Sequence, residues 1–410
     1  MTTPQKNILI LGGSFGGICT AHSILKHVIP SLPDRESHQV VLISPSSYAL
    51  CQPACPRAMI SDDMFNQNKL FTSITKSFEH YPATIFRFVQ GTATHLDHSN
   101  RAVLINLADG NTQTIDYHSL VIATGSSTQS PLLRLNRDEK FLRQNWNAFR
   151  EALPSAKNIV IAGGGPSGIE TAGELGEFLN GRAGWFSYKL ENPKVPITVV
   201  TSASQVLPAL RPSIAAKAED FLAGVGVTII KNTRVEAVTP PNAGTESAVA
   251  TKTTLSLDDG QTLDADIYIP AMGVSFNTTF IPETLLASDG RVETNTSTLR
   301  VDKAGPRVYA IGDASTYGHA AVHNILDAVP VLTANLKRDL LLASGNNETE
   351  VGEDREFKED TRETQLVPIG RSKGVGALMG YQLPSSAVWA IKGRDYWVWG
   401  AGFMWNGMLV

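Results

Sequence analysis

The sequence predicts an α/β chain of two similarly built parallel-sheet units followed by a small C-terminal α+β unit. Three observations carry this. The glycine-rich loop Gly12–Gly17 follows the apolar run Ile8–Leu11, and a second loop, Gly163–Gly168, follows Ile159–Ala162. Each stands between a buried-strand pattern and a helical one, the strand–turn–helix context in which such loops bind pyrophosphate. The runs Leu120–Gly125 and Ile267–Gly273 each end a buried strand on a glycine, so the second unit echoes the first. Both units are therefore expected to be Rossmann-like dinucleotide-binding domains.

In chain order, a strand over 8–11 and a helix over 15–28 open the first unit. A polar, proline-bearing loop at 30–38 leads to a strand over 40–43. Short strands fill 84–122, with Ala108-Asp109-Gly110-Asn111 as a hairpin turn. A helix near 138–152 enters the second unit, which repeats the plan: strand 159–162, helix 166–180, strand 197–201, helix 213–223, and strands broken at Asp258-Asp259-Gly260. Residues 346–364 are polar and acidic and read as a surface loop, and 365–410 is rich in aromatics. The expected division is 1–135 with 277–345, then 136–276, then the acidic loop, then the C-terminal unit.

Composition narrows the function. The chain has 410 residues, enough for two or three domains, and a net charge of −4 that argues against nucleic acid as a main partner. Cys19, Cys51 and Cys55 make no disulfide framework, which favours a reducing compartment. The first residues run straight into a strand with no signal-peptide pattern, Thr2 stands where a myristoylated glycine would be, and no run reaches the ~20 apolar residues of a membrane span. The expected location is the cytoplasm.

Two dinucleotides on one chain read most economically as a flavin and a nicotinamide, because hydride passes between those two. In the first loop, Gly12, Gly13, Gly16 and Gly17 frame Ser14 and Phe15; Ser14 replaces the middle motif glycine. Ser44 ends the second strand, where an acid usually binds a ribose hydroxyl; a serine binds one more weakly. The second loop keeps Gly163, Gly165 and Gly168. Its second strand ends in Thr201-Ser202-Ala203-Ser204, neither acidic nor basic, so the choice between NADH and NADPH stays open. Thr124, Gly125 and Gly273 close strands beside the loops. A third element, Val308–Ala314, turns at Gly312 and offers Asp313 to a ribityl hydroxyl; Asp313 is expected to cap a helix N-terminus as well, the two roles being compatible.

Glu170 lies two residues past Gly168, read as the first turn of a helix meant to receive a pyrophosphate. It either stabilises the helix dipole or faces the nicotinamide–flavin contact and orders the carboxamide. Cys51 and Cys55 invite a redox-disulfide reading, but Pro53 and Pro56 are expected to break any helix there, and two loop thiols are the default. His319 and His323 lack further partners in sequence, so no metal site is expected. Trp389, Tyr396, Trp397, Trp399, Phe403 and Trp405 form either a slot for a planar acceptor or a core, dimer contact or membrane-facing surface.

The ending Pro368-Ile369-Gly370-Arg371-Ser372-Lys373-Gly374-Val375-Gly376, then Lys392-Gly393-Arg394-Asp395-Tyr396-Trp397, with Pro56-Arg57-Ala58 after the second strand, resembles the ferroptosis-suppressor, AMID-like branch of the apoptosis-inducing-factor flavoproteins. These are two-dinucleotide flavoproteins related to type II NADH:quinone oxidoreductases. The resemblance implies FAD, NAD(P)H as donor and a quinone as acceptor. It implies that Glu170 and Lys392 lie near the flavin, that Trp397 takes the place of an aromatic beside it, and that Asp313 and Arg57 belong to the cofactor-binding set. It also implies a peripheral place on a membrane or lipid-droplet surface, through the aromatic C-terminus, as a variant of the cytoplasmic location. Departures are Thr2, Ser44, the longer acidic insert and the Cys51–Cys55 loop. Other expectations that remain open are a tailoring enzyme for a small aromatic metabolite and a slow-turnover signalling flavoprotein.

Overall fold

The computed structural model describes residues 5–184 and 187–409. Strand β1 (Lys6–Leu11), helix α1 (Phe15–His27) and strand β2 (His38–Ser44) open the chain, followed by the strands β3 (Phe86–Asp97), β4 (Ala102–Leu107), β5 (Thr112–Asp116) and β6 (Ser119–Ile122). Helix α2 (Glu139–Ala152) leads to β7 (Ile159–Ala162), α3 (Pro166–Asn180), β8 (Ile197–Val200), α4 (Pro212–Ala223) and β9 (Val227–Ile230). Strands β10 (Val235–Thr239), β11 (Thr253–Leu257), β12 (Thr262–Ala265) and β13 (Ile267–Pro270) complete that region. The chain returns as β14 (Val308–Ala310) and α5 (Val322–Ala343). It ends with β15 (Gln365–Ile369), β16 (Lys373–Leu378), β17 (Tyr381–Gln382) and α6 (Val398–Trp405).

The first sheet runs β14-β6-β1-β2-β3-β4-β5, and the second runs β9-β8-β7-β13. The central pairs are parallel: β1 with β2 and β6, β6 with β14, β7 with β8 and β13. Their central residues are apolar because both faces are covered: helices pack on one side, and antiparallel strands with the 280–304 segment pack on the other, as in Ile8-Leu9-Ile10-Leu11, where every residue is buried. Strand β14 joins the first sheet across the whole second unit, so the Gly312-Asp313 turn emerges beside the first loop. The antiparallel β4–β5 hairpin turns where Asp109-Gly110 was expected to turn it.

Helix α2 is anchored by Trp146, fully buried, whose indole nitrogen donates to the Leu132 carbonyl at 2.9 Å. The acidic segment after α5 holds one short helix, Glu348–Val351, and lies pinned rather than free, by the ion pairs Arg300 to Asp354 and Arg211 to Glu363 and by the hydrogen bonds between His319 and Glu359. Among the described residues no helix is long and apolar enough to cross a membrane, and no three residues are grouped to hold a metal.

Candidate active site

The two glycine loops are built to one plan, and side-chain volume explains their glycines. A Cβ on Gly12 would lie 2.1 Å from the Ala123 carbonyl oxygen, and one on Gly163 would lie 2.4 Å from that of Ala271. A Cβ on Gly17 would strike the Gly12 oxygen at 1.7 Å; on Gly168 it would strike the Gly163 oxygen at 2.0 Å. Gly13 packs on Ser44, and Gly164 packs on Thr201. Each loop is thus locked between the first strand of its unit and the strand that closes it. The loops deliver the N-termini of α1 and α3 with no side-chain cap and no acidic residue in the first turn, which leaves their amide hydrogens and positive dipole ends free.

Both N-termini open into a single cleft of about 1280 Å³. Its first-unit side is lined by Gly12, Gly13, Ser14, Phe15 and Gly16, with Ser44, Thr124 and Gly125. Its second-unit side holds Gly165, Glu170 and Gly273, and Gly312, Asp313 and Lys392 complete it. At Gly165 a Cβ would meet nothing within 4 Å, yet the residue lies in the cleft wall. Its glycine therefore leaves room for a group that approaches the backbone, and not for packing within the chain. Uncapped helix ends, that open glycine and a cleft spanning both loops fit two dinucleotides. Gly17, Gly163 and Gly168 do not line the cleft; they shape the loops from behind.

Asp313 is not an N-cap. Helix α5 begins ten residues after Gly312, with Ala321 at its cap. One carboxylate oxygen of Asp313 accepts from Arg134 Nη1 at 2.7 Å and from Ser126 Oγ at 2.7 Å. Sequence reasoning missed both donors, since nothing local to residues 126–134 points to Asp313. They hold the carboxylate in the cleft wall and occupy Oδ2.

Glu170 lies in the second turn of α3, past the free amides of the first turn, so a stabilised helix end does not account for it. It is buried, and its Oε1 accepts from Lys392 Nζ at 2.6 Å. Lys392 also donates to the Leu366 carbonyl at 3.0 Å. Burial pushes the Glu170 carboxyl up to about 7, against the opposing pull of Lys392. The arrangement sets a carboxyl able to gain or lose a proton near neutral pH, and an ammonium, at the foot of the cleft.

Three expectations are corrected. Arg57 does not line the cleft: it is buried in a two-pronged pair with Glu174, at 2.9 and 2.8 Å, and also donates to the Arg394 and Gly370 carbonyls. Its donors are spent inside the protein. Trp397 does not line it either; the ring folds back on its own helix over Gly400, where a Cβ would come within 2.5 Å of the indole. The prolines do not break the chain at the cysteine pair. Pro53 and Pro56 sit in first turns of short helices, Gln52–Ala54 and Cys55–Ala58, where a missing N–H costs nothing. Both thiols are buried and unpaired; burial pushes Cys51 up to about 12 and Cys55 higher still.

The remaining aromatics divide. Tyr396 and Trp405 are fully buried, the latter against Phe15 with ring centroids 4.6 Å apart. Trp389, Trp399 and Phe403 are 40 to 47% exposed and lie away from the cleft. No C-terminal aromatic forms a slot over the site.

A twofold dinucleotide cleft between Rossmann-like sheets defines a flavoprotein oxidoreductase that uses a nicotinamide donor. The chain belongs to the pyridine nucleotide-disulphide oxidoreductase family, whose sequence profile matches residues 6–330. FAD and NAD(P)H are its cofactors. Oxidoreductase phnG of Penicillium herquei is 60% identical over 405 residues, 99% of this chain and 97% of that protein. Ferroptosis suppressor protein 1 of Xenopus laevis is 24% identical over 412 residues, 95% and 93% of the two chains. The structure of NDH2 from Plasmodium falciparum in complex with NADH shares the fold, with a TM-score of 0.64, 15% identity and coverage of 98% and 99%.

Proposed function

We propose that this chain takes electrons from NAD(P)H and delivers them to a quinone-like acceptor, in the manner of the AMID-like branch. Bound in the cleft, FAD would supply the two-electron chemistry that links the nicotinamide to the acceptor. We assign FAD to residues 1–135 and 277–345, through the first loop, Ser44 and Asp313, and the nicotinamide nucleotide to residues 136–276, through Gly163–Gly168.

The observation that carries the reading is the Glu170–Lys392 pair at the cleft, 2.6 Å apart. Glu170 orders the nicotinamide carboxamide and holds a proton near neutral pH. Lys392 offsets the negative charge that builds in the cleft when electrons arrive. The N-terminus of α5, whose Ala321 and Val322 line the cleft, adds its dipole to the same end. Cys51 and Cys55 take no part, because buried thiols held protonated cannot attack.

The quinone rests on the C-terminal resemblance and on likeness to ferroptosis suppressor protein 1. A second reading, oxidation or reduction of a small aromatic metabolite, is favoured by two facts. The C-terminal aromatics supply no slot at the cleft, and the 60% identical relative is a fungal oxidoreductase. An acceptor screen on the purified yellow protein separates them. NAD(P)H oxidation that accelerates on adding short-chain quinones supports the first, and oxidation only with a particular aromatic metabolite supports the second. Slow oxidation with neither leaves a signalling flavoprotein.

For location we propose the cytoplasm, with contact to a membrane or lipid-droplet surface through exposed Trp389, Ile391, Trp399, Phe403 and Met408. Co-sedimentation with anionic vesicles that is lost in a Trp389→Ser, Trp399→Ser variant supports that contact; no binding by the unaltered protein refutes it.

A further inference from the structure

Resting on the reading of Glu170 and Lys392 as the working pair, we infer that Glu174, clamped by Arg57 and Tyr396, is a positioning residue that sets how firmly Glu170 holds its proton. Glu174 follows Glu170 by one turn of α3, so the two carboxylates share a helix face. It is buried, and every donor it meets comes from elsewhere in the chain. Arg57, in the segment after β2, grips both oxygens at 2.9 and 2.8 Å; the Tyr396 hydroxyl donates to Oε1 at 3.0 Å.

Tyr396 ties this cluster to Lys392. Its amide donates to the Lys392 carbonyl at 2.6 Å, and the Lys392 ammonium sits 5.8 Å from the centre of its ring. Tyr396 and Trp397 have φ of 52° and 64°, the left-handed region that side-chain-bearing residues adopt only when held there. Full burial of Tyr396 and its bond to Glu174 do the holding. One residue thus fixes both the backbone that carries the cleft ammonium and the hydroxyl on the second carboxylate.

The charged groups that face Glu170 are Lys392 from the C-terminal unit, Glu174 from its own helix and Arg57 from the segment after β2. Lys392 and Arg57 favour the ionised Glu170; Glu174 and burial oppose it. Arg57 and Glu174 therefore pull in opposite directions while they remain paired. Breaking the pair from either side unmasks the other member, and this gives the inference a signature. Glu174→Gln removes the opposing charge and leaves Arg57 uncompensated, so Glu170 ionises more readily. Arg57→Gln does the reverse. A cluster that merely held the fold together would move both variants the same way.

The test is a pH titration of the absorbance spectrum of FAD in the purified oxidised holoprotein, without substrate. The unaltered protein is expected to show a transition near pH 7 that is abolished in Glu170→Gln. Glu174→Gln should shift it down by about one unit and Arg57→Gln should shift it up. If the transition persists in Glu170→Gln, the underlying reading of Glu170 fails. If Glu170→Gln abolishes it but Glu174→Gln leaves it in place, or both variants shift it the same way, this inference fails. Glutamine keeps the shape of Glu174 and an oxygen for Tyr396 and Arg57, so that variant decides the matter alone where Arg57→Gln does not fold.

Discussion

Lys392 Nζ donates to Glu170 Oε1 at 2.6 Å across 222 positions of sequence, and this contact brings the C-terminal unit to the cleft. Glu170 is buried while the Lys392 side chain keeps 20% of its surface exposed, so the ammonium is the more open member of a pair that lines the cleft together. Removing it strands a buried carboxylate, which burial then drives toward its protonated form. Lys392→Ala is therefore expected to raise the Glu170 transition above 7, and the same spectral titration checks this.

Asp313 should hold FAD only while Arg134 and Ser126 hold Asp313. Asp313→Ala removes a charged hydrogen-bond acceptor from the cleft, a loss of about 1.5–3 kcal/mol, and flavin should then leave on dilution. Arg134→Ala should weaken flavin binding in the same direction by freeing the carboxylate. Recovery of flavin fluorescence on dilution measures both; retention of flavin by both variants would contradict the assignment.

The glycines of the second loop should fail in two different ways. Gly165→Val adds a side chain to open space, so the protein should fold, keep its flavin and lose donor affinity, seen as a steep rise in KM for NAD(P)H. Gly168→Ala places a Cβ 2.0 Å from the Gly163 oxygen and should lower the melting temperature. Flavin loss in Gly165→Val with unchanged donor kinetics would mean that the loops are assigned the wrong way round.

Cys51 and Cys55 should be silent in turnover. The Cys51→Ala, Cys55→Ala variant is expected to oxidise NAD(P)H within a few-fold of the unaltered rate, and the native thiols should react slowly with disulfide reagents because burial keeps them protonated. Abolished turnover with intact flavin would restore the dithiol reading.

Stability should carry the mark of Glu170. Burial raises its carboxyl from the ordinary 4.5 of a glutamate to about 7 in the folded chain, so the folded state binds the extra proton between those values. Its stabilising contribution is complete below pH 4.5 and is lost as pH rises through 7. Melting curves of the unaltered protein and of Glu170→Gln should diverge in that window, with the unaltered protein losing ground as pH rises. A constant difference would argue that the carboxyl is not raised.

The loops, the central strands and the helices after them were legible because glycine spacing and apolar runs are local signals, and the same chemistry recurs at Gly12 and Gly163. Lys392 and Asp313 were found at the cleft through motif resemblance and a strand-turn pattern. What the sequence hid is long-range pairing. Arg57 meets Glu174 across 117 positions and Arg134 meets Asp313 across 179, and no periodicity encodes either contact. The aromatics from 389 to 405 misled for a similar reason. Composition counts rings, but packing decides that Trp405 is buried against Phe15 while Trp399 stays exposed. Pro53 and Pro56 stand in first turns, where proline is accepted, so the rule that proline breaks helices does not hold there.

The central claim is that Glu170, held by Lys392, works at the meeting point of the two nucleotides. Anaerobic stopped-flow reduction of bound FAD by NAD(P)H, followed by loss of flavin absorbance in the Glu170→Ala variant, tests it most directly. The account predicts normal flavin content and a reduction rate at least tenfold slower, the loss of roughly 1.4 kcal/mol or more at the transition state. A rate equal to that of the unaltered protein would contradict it.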